Sequence, residues 1–232
     1  MITVRRAHER LHTRIGWLDS RHTFTFDEHI DPRHMGFRAL RVLNEDRIAP
    51  AHGFGMQPQR DMEMLTWVLA GTLRHEDSLG TRSILNPGDV QRLTAGTGVL
   101  HSEFNASDSE PLHLLQAWIT PSRTRRSPSY ERRTFNTDER RGQLALIASS
   151  DGRAGSMTID QDVAVYRAEL DAGATTAYHF PAARHAWVHV IRGGIQLNGA
   201  ALKAGDGAGV EGTGTIELRA LSASHTLVFD LV

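Results

Sequence analysis

The chain contains no cysteine among its 232 residues. Disulfide bonds and thiolate chemistry are therefore excluded, and the absence fits a reducing compartment. Long hydrophobic runs are also missing, since no apolar segment approaches the ~20 residues that cross a bilayer as a helix. The first six residues, MITVRR, lack the apolar core of a signal peptide. We therefore expect a cytoplasmic location and no membrane partner.

A strong net charge of either sign is missing as well. The chain has 26 Lys and Arg residues against 27 Asp and Glu residues, which gives a formal net charge of −1. This balance provides no electrostatic reason to bind nucleic acid directly or to bind an anionic membrane. With 40% hydrophobic and 23% charged residues, the composition is that of an ordinary globular protein.

Convincing helical periodicity is absent over any long stretch. Instead, short apolar runs such as residues 37–43, 64–69 and 112–119 are separated by turn sequences such as NPGD and AGTG. Short strands that recur with such turns favour a sandwich or a barrel. The sequence therefore predicts an all-β fold with little helix.

The same order of strands and turns occurs twice. TWVLAGTL at 66–73 aligns with VHVIRGGI at 188–195, and LNPGDV at 85–90 aligns with LKAGDG at 202–207. A matched order of several elements is typical of a duplicated unit.

An arginine-rich segment at 122–141 separates the two copies. Its basic residues are Arg123, Arg125, Arg126, Arg132, Arg133, Arg140 and Arg141. Because acidic residues dilute these charges, we interpret the segment as a solvated connector and not as a nucleic-acid patch. We predict domains at 1–122 and 143–232, joined by a linker at 123–142.

Two pairs of polar residues carry the most specific chemical signal. Gln57 and Gln59 lie two positions apart, and His101 and Glu103 have the same spacing. Residues two apart on a strand share a face, so two facing strands could aim all four side chains at one point. Histidine and glutamate are common metal ligands. Taken alone, however, a His-x-Glu pair on a strand is more often an exposed polar pair.

Longer motifs around these residues resemble one family closely. They are HTRIGWLDSRHTFTF at 12–26, GFRALRVLNED at 36–46, RDME at 60–63, HEDSLG at 75–80 and PGDVQRLTAGTGVLHSEFN at 87–105. This set resembles the pirin family, and the second half of the chain resembles the C-terminal cupin domain of the same proteins. The resemblance implies a bicupin with two antiparallel jelly-roll-type β-barrels in one chain.

The resemblance also implies a metal site and an activity. In pirins the N-terminal barrel holds a metal, usually iron, through three histidines and one glutamate. Some members oxidise flavonols such as quercetin with molecular oxygen, and one eukaryotic member is a transcriptional co-regulator. Carried over residue by residue, the third histidine falls on His101 and the glutamate on Glu103. The first two histidines fall on Gln57 and Gln59.

The two glutamines change what this site can bind. An amide oxygen is a harder and weaker donor than an imidazole nitrogen. Even changes behind the ligands typically cost about 10–100-fold in metal affinity, so two changed ligands should cost more. We predict a water-filled site, or weak occupancy by Mn²⁺ or Mg²⁺ through Gln57, Gln59, His101 and Glu103. Six other histidines are disfavoured as ligands, namely His52, His75, His113, His179, His185 and His189. We expect the second barrel to carry no metal.

Three functions stay open at this point. The first is a quercetin 2,3-dioxygenase-like enzyme with an altered metal site, in which Glu103 is the catalytic base that takes a substrate hydroxyl proton. The second is a non-catalytic small-molecule-binding or regulatory protein with a degenerate cupin pocket. The third, a metal-free enzyme that uses His101 and Glu103, is least favoured because no nucleophile or orienting partner is evident. We expect a monomer whose partner is a small aromatic molecule or another protein.

Overall fold

Strands dominate the computed structural model, which describes residues 1–135, 141–181, 183–212 and 214–232. Within these ranges the helices are two short 3₁₀ segments, Ala7–Glu9 and Arg153–Gly155. The predicted all-β fold is therefore confirmed. No helix in the described ranges is long and apolar enough to cross a membrane.

The chain divides into two compact units, each with its own sheets. The amino-terminal unit takes residues 11–135 and 159–161, and the carboxy-terminal unit takes the described residues of 1–10, 136–158 and 162–232. Residues 1–10 therefore group with the second half of the chain, although the predicted first domain spans 1–122. Residues 129–134 form a strand inside the predicted linker at 123–142. Residues 136–140 of that linker, including Arg140, lie outside the described residues.

Two antiparallel sheets form the amino-terminal unit. Its strands are β2 (Leu11–Ile15), β3 (Leu18–His22), β4 (Leu40–Ile48), β5 (Gly53–Gln59), β6 (Glu63–Ala70), β7 (Leu73–Asp77), β8 (Arg82–Leu85), β9 (Asp89–Thr94), β10 (Val99–Asn105), β11 (Leu112–Ile119) and β12 (Ser129–Thr134). The seven-stranded sheet has the order β12-β9-β6-β11-β4-β3-β2, and the four-stranded sheet has the order β5-β10-β7-β8. Leu73 and Leu85 of the small sheet pack against Val68, Leu112 and Leu114 of the large sheet.

The carboxy-terminal unit repeats this plan. Its strands are β1 (Ile2–Arg5), β13 (Leu144–Ser149), β14 (Met157–Thr158), β15 (Val163–Leu170), β16 (Thr175–His179), β17 (His185–Arg192), β18 (Gly194–Leu197), β19 (Ala200–Lys203), β20 (Gly207–Val210), β21 (Thr215–Ala220) and β22 (Ser224–Leu231). The sheets have the orders β1-β20-β17-β22-β15-β13-β14 and β16-β21-β18-β19. The small-sheet strands β5-β10-β7-β8 correspond in order to β16-β21-β18-β19. In the large sheets, the run β9-β6-β11-β4-β3 corresponds in order to β20-β17-β22-β15-β13.

A matched glycine shows how closely the two copies correspond. Gly71 follows β6 and Gly193 follows β17, and both have a φ of +77°. A Cβ at Gly71 would lie 2.5 Å from the Pro111 carbonyl oxygen, and one at Gly193 would lie 2.2 Å from that of Ala223. Only glycine fits this left-handed turn with its close backbone approach. The structure thus confirms the internal repeat that the sequence predicts.

Candidate metal centre

The small sheet of the amino-terminal unit brings the polar residues together. β10 is paired with β5 on one side and with β7 on the other. His101 stands opposite Gln57 on β5 and opposite Asp77 on β7, while Glu103 stands opposite His75. Directly paired residues of antiparallel strands point to the same face of a sheet. These five side chains therefore project to one side of the small sheet.

The exposure pattern along β5 shows where the two glutamines point. Gln57 and Gln59 are half-buried, whereas Met56, Pro58 and Arg60 beside them are exposed. This alternation is what a strand with one inward face produces. Both amides therefore lie on the inner face of the sheet together with His101. Their assignment as metal positions stays a prediction.

A buried cluster forms around His101. His75, His101 and Glu103 are 0%, 1% and 3% exposed, and one candidate ligand atom from each lies within 4.8 Å of the other two. The imidazole centroids of His75 and His101 are 6.0 Å apart. Two ligand atoms at about 2.1 Å from one ion are separated by at most about 4.2 Å. One ion can therefore meet all three side chains after small side-chain adjustments.

The Glu103 carboxylate is held by side chains of the large sheet. Gln116 Nε2 donates to Oε2 at 2.8 Å, and Gln91 Nε2 donates to Oε1 at 2.5 Å. Trp118 Nε1 donates to Gln116 Oε1 at 2.7 Å. Because an indole N–H can only donate, the oxygen of Gln116 must face Trp118 and its NH₂ group must face Glu103. The glutamine orientation, and with it the acceptor role of Glu103, follows from this chain of bonds.

Burial opposes the charged forms of two cluster residues. It raises the pKa of Glu103, against the opposing effects of His75 and the amide donors. It lowers the pKa of His101 to about 4, with Asp77 acting in the opposite direction. At neutral pH the His101 imidazole is therefore uncharged. Neither of its ring nitrogens has a hydrogen-bond partner among the described residues.

His75 is held in one orientation by its neighbours. Its Nε2 lies 3.1 Å from Asp77 Oδ2, and the ring of Tyr130 stacks on it at a centroid distance of 4.7 Å. Burial acts to raise the pKa of Asp77, but hydrogen bonds from His75, Thr81 and Leu79 together lower it. An ionised Asp77 can only accept, so His75 Nε2 carries a proton and donates it to this hydrogen bond. Nδ1 has no hydrogen-bond partner in the described ranges.

This donor set fits a divalent cation. Two imidazoles with unpartnered nitrogens adjoin a buried carboxylate, and buried polar atoms normally have partners. A carboxylate behind a histidine is also the usual support of a metal-binding imidazole. The cluster is therefore a candidate site for a divalent metal.

Comparison with known proteins identifies the family. The family profile described as Pirin matches residues 3–119, and the profile described as Quercetinase C-terminal cupin domain matches residues 146–231. This chain belongs to the pirin family. It is 42% identical over 231 residues to a quercetin 2,3-dioxygenase of Escherichia coli strain K12, and this match covers 100% of this chain and 99% of the relative. It is 37% identical over 236 residues to a putative quercetin 2,3-dioxygenase, PM1685, of Pasteurella multocida, and this match covers 100% of each chain.

Solved structures agree with this assignment. The crystal structure of the bacterial pirin YhhW from Escherichia coli in complex with nickel(II) matches with a TM-score of 0.96 and 42% identity, covering 100% of this chain and 99% of YhhW. A mutant of the oxalate decarboxylase OxdC from Bacillus subtilis, at 13% identity and a TM-score of 0.66, shares the fold alone. This pirin is thus a bicupin that resembles the quercetin 2,3-dioxygenases, as the sequence predicts.

The second unit of this pirin has no such cluster at the corresponding positions. In β18 and β21, Leu197 pairs with Leu218 as His75 pairs with Glu103 in β7 and β10. Ile216 then occupies the place of His101, two residues before Leu218. All three apolar side chains belong to the core of the carboxy-terminal unit. They cannot ligate a metal at these positions, and the absence of a metal from the second barrel stays a prediction.

Sequence reasoning disfavoured His75 as a ligand, and the structure places it beside His101 and Glu103. The available signal was the alternation of Leu73, His75 and Asp77, which marks one inward face of a short strand. The pairing of that strand with β10 could not be deduced locally. The other disfavoured histidines of this unit lie elsewhere, since His52 contacts the Pro50 carbonyl and His113 contacts Glu45.

Proposed function

We propose that this pirin is a metal-dependent dioxygenase that acts on a small aromatic substrate of the flavonol type. The observation that carries the proposal is the buried cluster, in which two imidazoles have unpartnered nitrogens beside the Glu103 carboxylate. The 42% identity to a protein named quercetin 2,3-dioxygenase supports the reaction class.

The metal belongs to this proposal. His101 and Glu103 would hold it, with His75 next to them. A redox-active divalent ion, when bound, supplies the oxygen-activating chemistry that protein side chains lack. Histidine and carboxylate donors suit iron, nickel and manganese. The nickel(II) complex of YhhW supports a transition ion over Mg²⁺.

Glu103 is the proposed base for the substrate hydroxyl proton. Its burial raises its pKa, which makes it a better proton acceptor than an exposed carboxylate. Gln91 and Gln116 hold the carboxylate in place, so it does not need to reorganise when a substrate arrives. Gln57 and Gln59 face the same interior and offer hydrogen-bond donors and acceptors to hydroxyl and carbonyl groups of a substrate.

An open pocket lies next to Gln59, beside the edge strand β5. It has a volume of about 430 Å³ and is lined by Pro58, Gln59, Arg60, Ser78, Gly98, Val99 and Leu100. Sites for small molecules commonly have volumes of about 300–1,000 Å³.

Oxygen consumption tests the proposal. The full chain, loaded in turn with Fe²⁺, Ni²⁺ or Mn²⁺, should consume oxygen in the presence of quercetin. The Glu103→Gln variant and the metal-free protein should not. If no metal supports oxygen uptake although the metal content is stoichiometric, the dioxygenase proposal is wrong.

A non-catalytic binding protein is the second candidate. Gln57 and Gln59 favour it, since they stand where the family resemblance places two histidine ligands. In that case quercetin should bind with the same affinity to metal-free and metal-loaded protein, and no oxygen should be consumed.

A further inference from the structure

We infer that the metal of this pirin has three protein ligands, His75, His101 and Glu103, and that Gln57 and Gln59 lie outside its coordination shell. This inference rests on the proposed function, because it requires a bound metal. It differs from the ligand set that the family resemblance implies, in which positions 57 and 59 bind the metal and position 75 does not.

His75 has the features of a prepared ligand. Asp77 accepts the Nε2 proton, and the Asp77 carboxylate is itself fixed by the backbone N–H groups of Leu79 and Thr81 at 2.9 and 3.0 Å. Nε2 is therefore committed to Asp77, and Nδ1, which has no hydrogen-bond partner in the described ranges, is the ring nitrogen left for an ion. The stacked ring of Tyr130 limits rotation of the imidazole. Such a carboxylate–histidine pair raises the donor strength of the imidazole.

Charge balance favours a cation at this place. Among the described residues, the side chains that hydrogen-bond to Glu103 are Gln91, Gln116 and Thr66, all of them uncharged. A fully buried carboxylate whose hydrogen-bond donors are all uncharged is costly, and a cation offsets that cost. Oε1 accepts from both Gln91 and Thr66, whereas Oε2 accepts from Gln116 alone, so Oε2 retains acceptor capacity and Glu103 can keep its amide donors and also bind an ion.

The two glutamines are poor competitors for the metal. Their amide oxygens are weaker donors toward transition ions than imidazole nitrogen. Gln57 and Gln59 are also half-exposed, whereas His75 is completely buried. In the described part of the chain, neither glutamine is fixed by a side-chain hydrogen bond. Ordering them around an ion would therefore cost rotamer entropy that His75 has already lost.

The inferred set has a chemical consequence. Two histidines and one carboxylate, with the other positions open, are typical ligands of non-haem iron(II) oxygenases. Four protein ligands would leave fewer positions for substrate and oxygen. The two amides are then free to contact the substrate, which makes them determinants of specificity.

Metal titration separates the two ligand sets. In His75→Phe the ring that stacks on Tyr130 is kept and the nitrogen donor is lost. Gln57→Ala/Gln59→Ala is the matched control, because it removes both amides and leaves the three inferred ligands. With Ni²⁺ as the probe, wild type should bind one ion per chain. His75→Phe should bind at least about 100-fold more weakly, beyond the 10–100-fold typical of changes behind a ligand. The double alanine variant should stay within about threefold of wild type.

The outcomes distinguish the inference from the proposed function. If His75→Phe binds like wild type, or if the double alanine variant loses binding while its metal-free Tm is unchanged, the ligand set is wrong and the metal site stands. If wild type binds none of Ni²⁺, Fe²⁺ and Mn²⁺, the proposed function fails and the inference fails with it. If metal binding depends on His75 but no oxygen is consumed, the proposed dioxygenase activity is wrong and the inferred ligand set stands.

A measurement on the unmutated protein removes any dependence on folding of the variants. The NMR spectrum of the Co²⁺-loaded protein should show two exchangeable imidazole N–H signals with large paramagnetic shifts, one each from His75 and His101. A single such signal would contradict ligation by His75.

Discussion

Glu63 provides a clear test of how the burial of an acidic side chain makes the stability of this protein depend on pH. It is the first residue of β6, is completely buried, and accepts a hydrogen bond from Thr94 Oγ1 at 2.9 Å. Burial raises its pKa from 4.5 to about 7, with the Asp160 charge adding to the effect and Thr94 and Arg92 opposing it. The folded protein therefore binds this proton more tightly than the unfolded chain does.

The direction of the pH dependence follows from this shift. Between pH 4.5 and about 7 the folded state binds more protons at Glu63, so the free energy of unfolding falls as the pH rises. Each unit by which the pKa is raised corresponds to about 1.4 kcal/mol of stability. The shift from 4.5 to about 7 therefore stabilises the fold by about 3 kcal/mol at low pH, and this contribution is lost once the pH exceeds about 7. Glu63→Gln stays uncharged and keeps an oxygen for Thr94. We expect it to be more stable than wild type by about 3 kcal/mol at pH 8.5 and by less than about 1 kcal/mol at pH 5.

Thermal unfolding of both proteins at these two pH values tests the prediction. For a chain of this length, about 1 kcal/mol corresponds to about 2–4 °C in Tm. Glu63→Gln should therefore unfold about 6–12 °C above wild type at pH 8.5. Glu28→Gln, an identical change at an exposed position, should alter Tm equally at both pH values. The reasoning is refuted if the difference between Glu63→Gln and wild type is independent of pH, or if the variant is less stable at pH 8.5.

Three further outcomes can be measured. Gly71→Ala should lose about 2–3 kcal/mol of stability in denaturant unfolding, because its Cβ would meet a backbone oxygen at 2.5 Å. Gly80→Ala is the control: its φ is +89° and its Cβ would meet nothing within 4 Å, so it should lose only about 1 kcal/mol. Burial lowers the pKa of His225 to about 3, so wild type should lose about 2 kcal/mol between pH 7.5 and pH 5 through this residue, and His225→Gln should lose correspondingly less in the same scan. Trp118→Phe removes the donor that orients Gln116 and should weaken Ni²⁺ binding about tenfold in a titration, with oxygen uptake reduced only at limiting metal.

Much of the fold follows from local signals in the sequence. The period-two alternation of β5, for example, predicts that Gln57 and Gln59 share a face, and the exposure pattern agrees. The glycine turns at Gly71 and Gly193 mark both copies of the repeat, because no other residue fits them. These features depend on neighbours within a few residues and can be read without a structure.

Long-range pairing is what the sequence does not specify. β1 pairs with β20, about 200 residues away, so the first residues belong to the second unit. His75 meets Glu103 only through the register of β7 and β10. Strand partners depend on the packing of both sheets, and no local pattern distinguishes an inward histidine that meets other ligands from one that is only packed. The cluster could therefore be predicted in part, at His101 and Glu103, and its third member could not.

The two units together show that the fold does not require the buried cluster. Leu197, Ile216 and Leu218 fill the corresponding positions in the carboxy-terminal unit, so the same strand plan closes with apolar side chains alone. In the amino-terminal unit, burial disfavours the charged form of Glu103 and of His101. Replacing a buried polar group by a packed apolar one is often neutral or stabilising. A stability cost that the fold does not require, concentrated at one place, is expected where a site binds a ligand that restores the lost interactions. A divalent ion would be such a ligand for the proposed site, because it would accept electron pairs from imidazole nitrogens and neutralise the carboxylate at the same time.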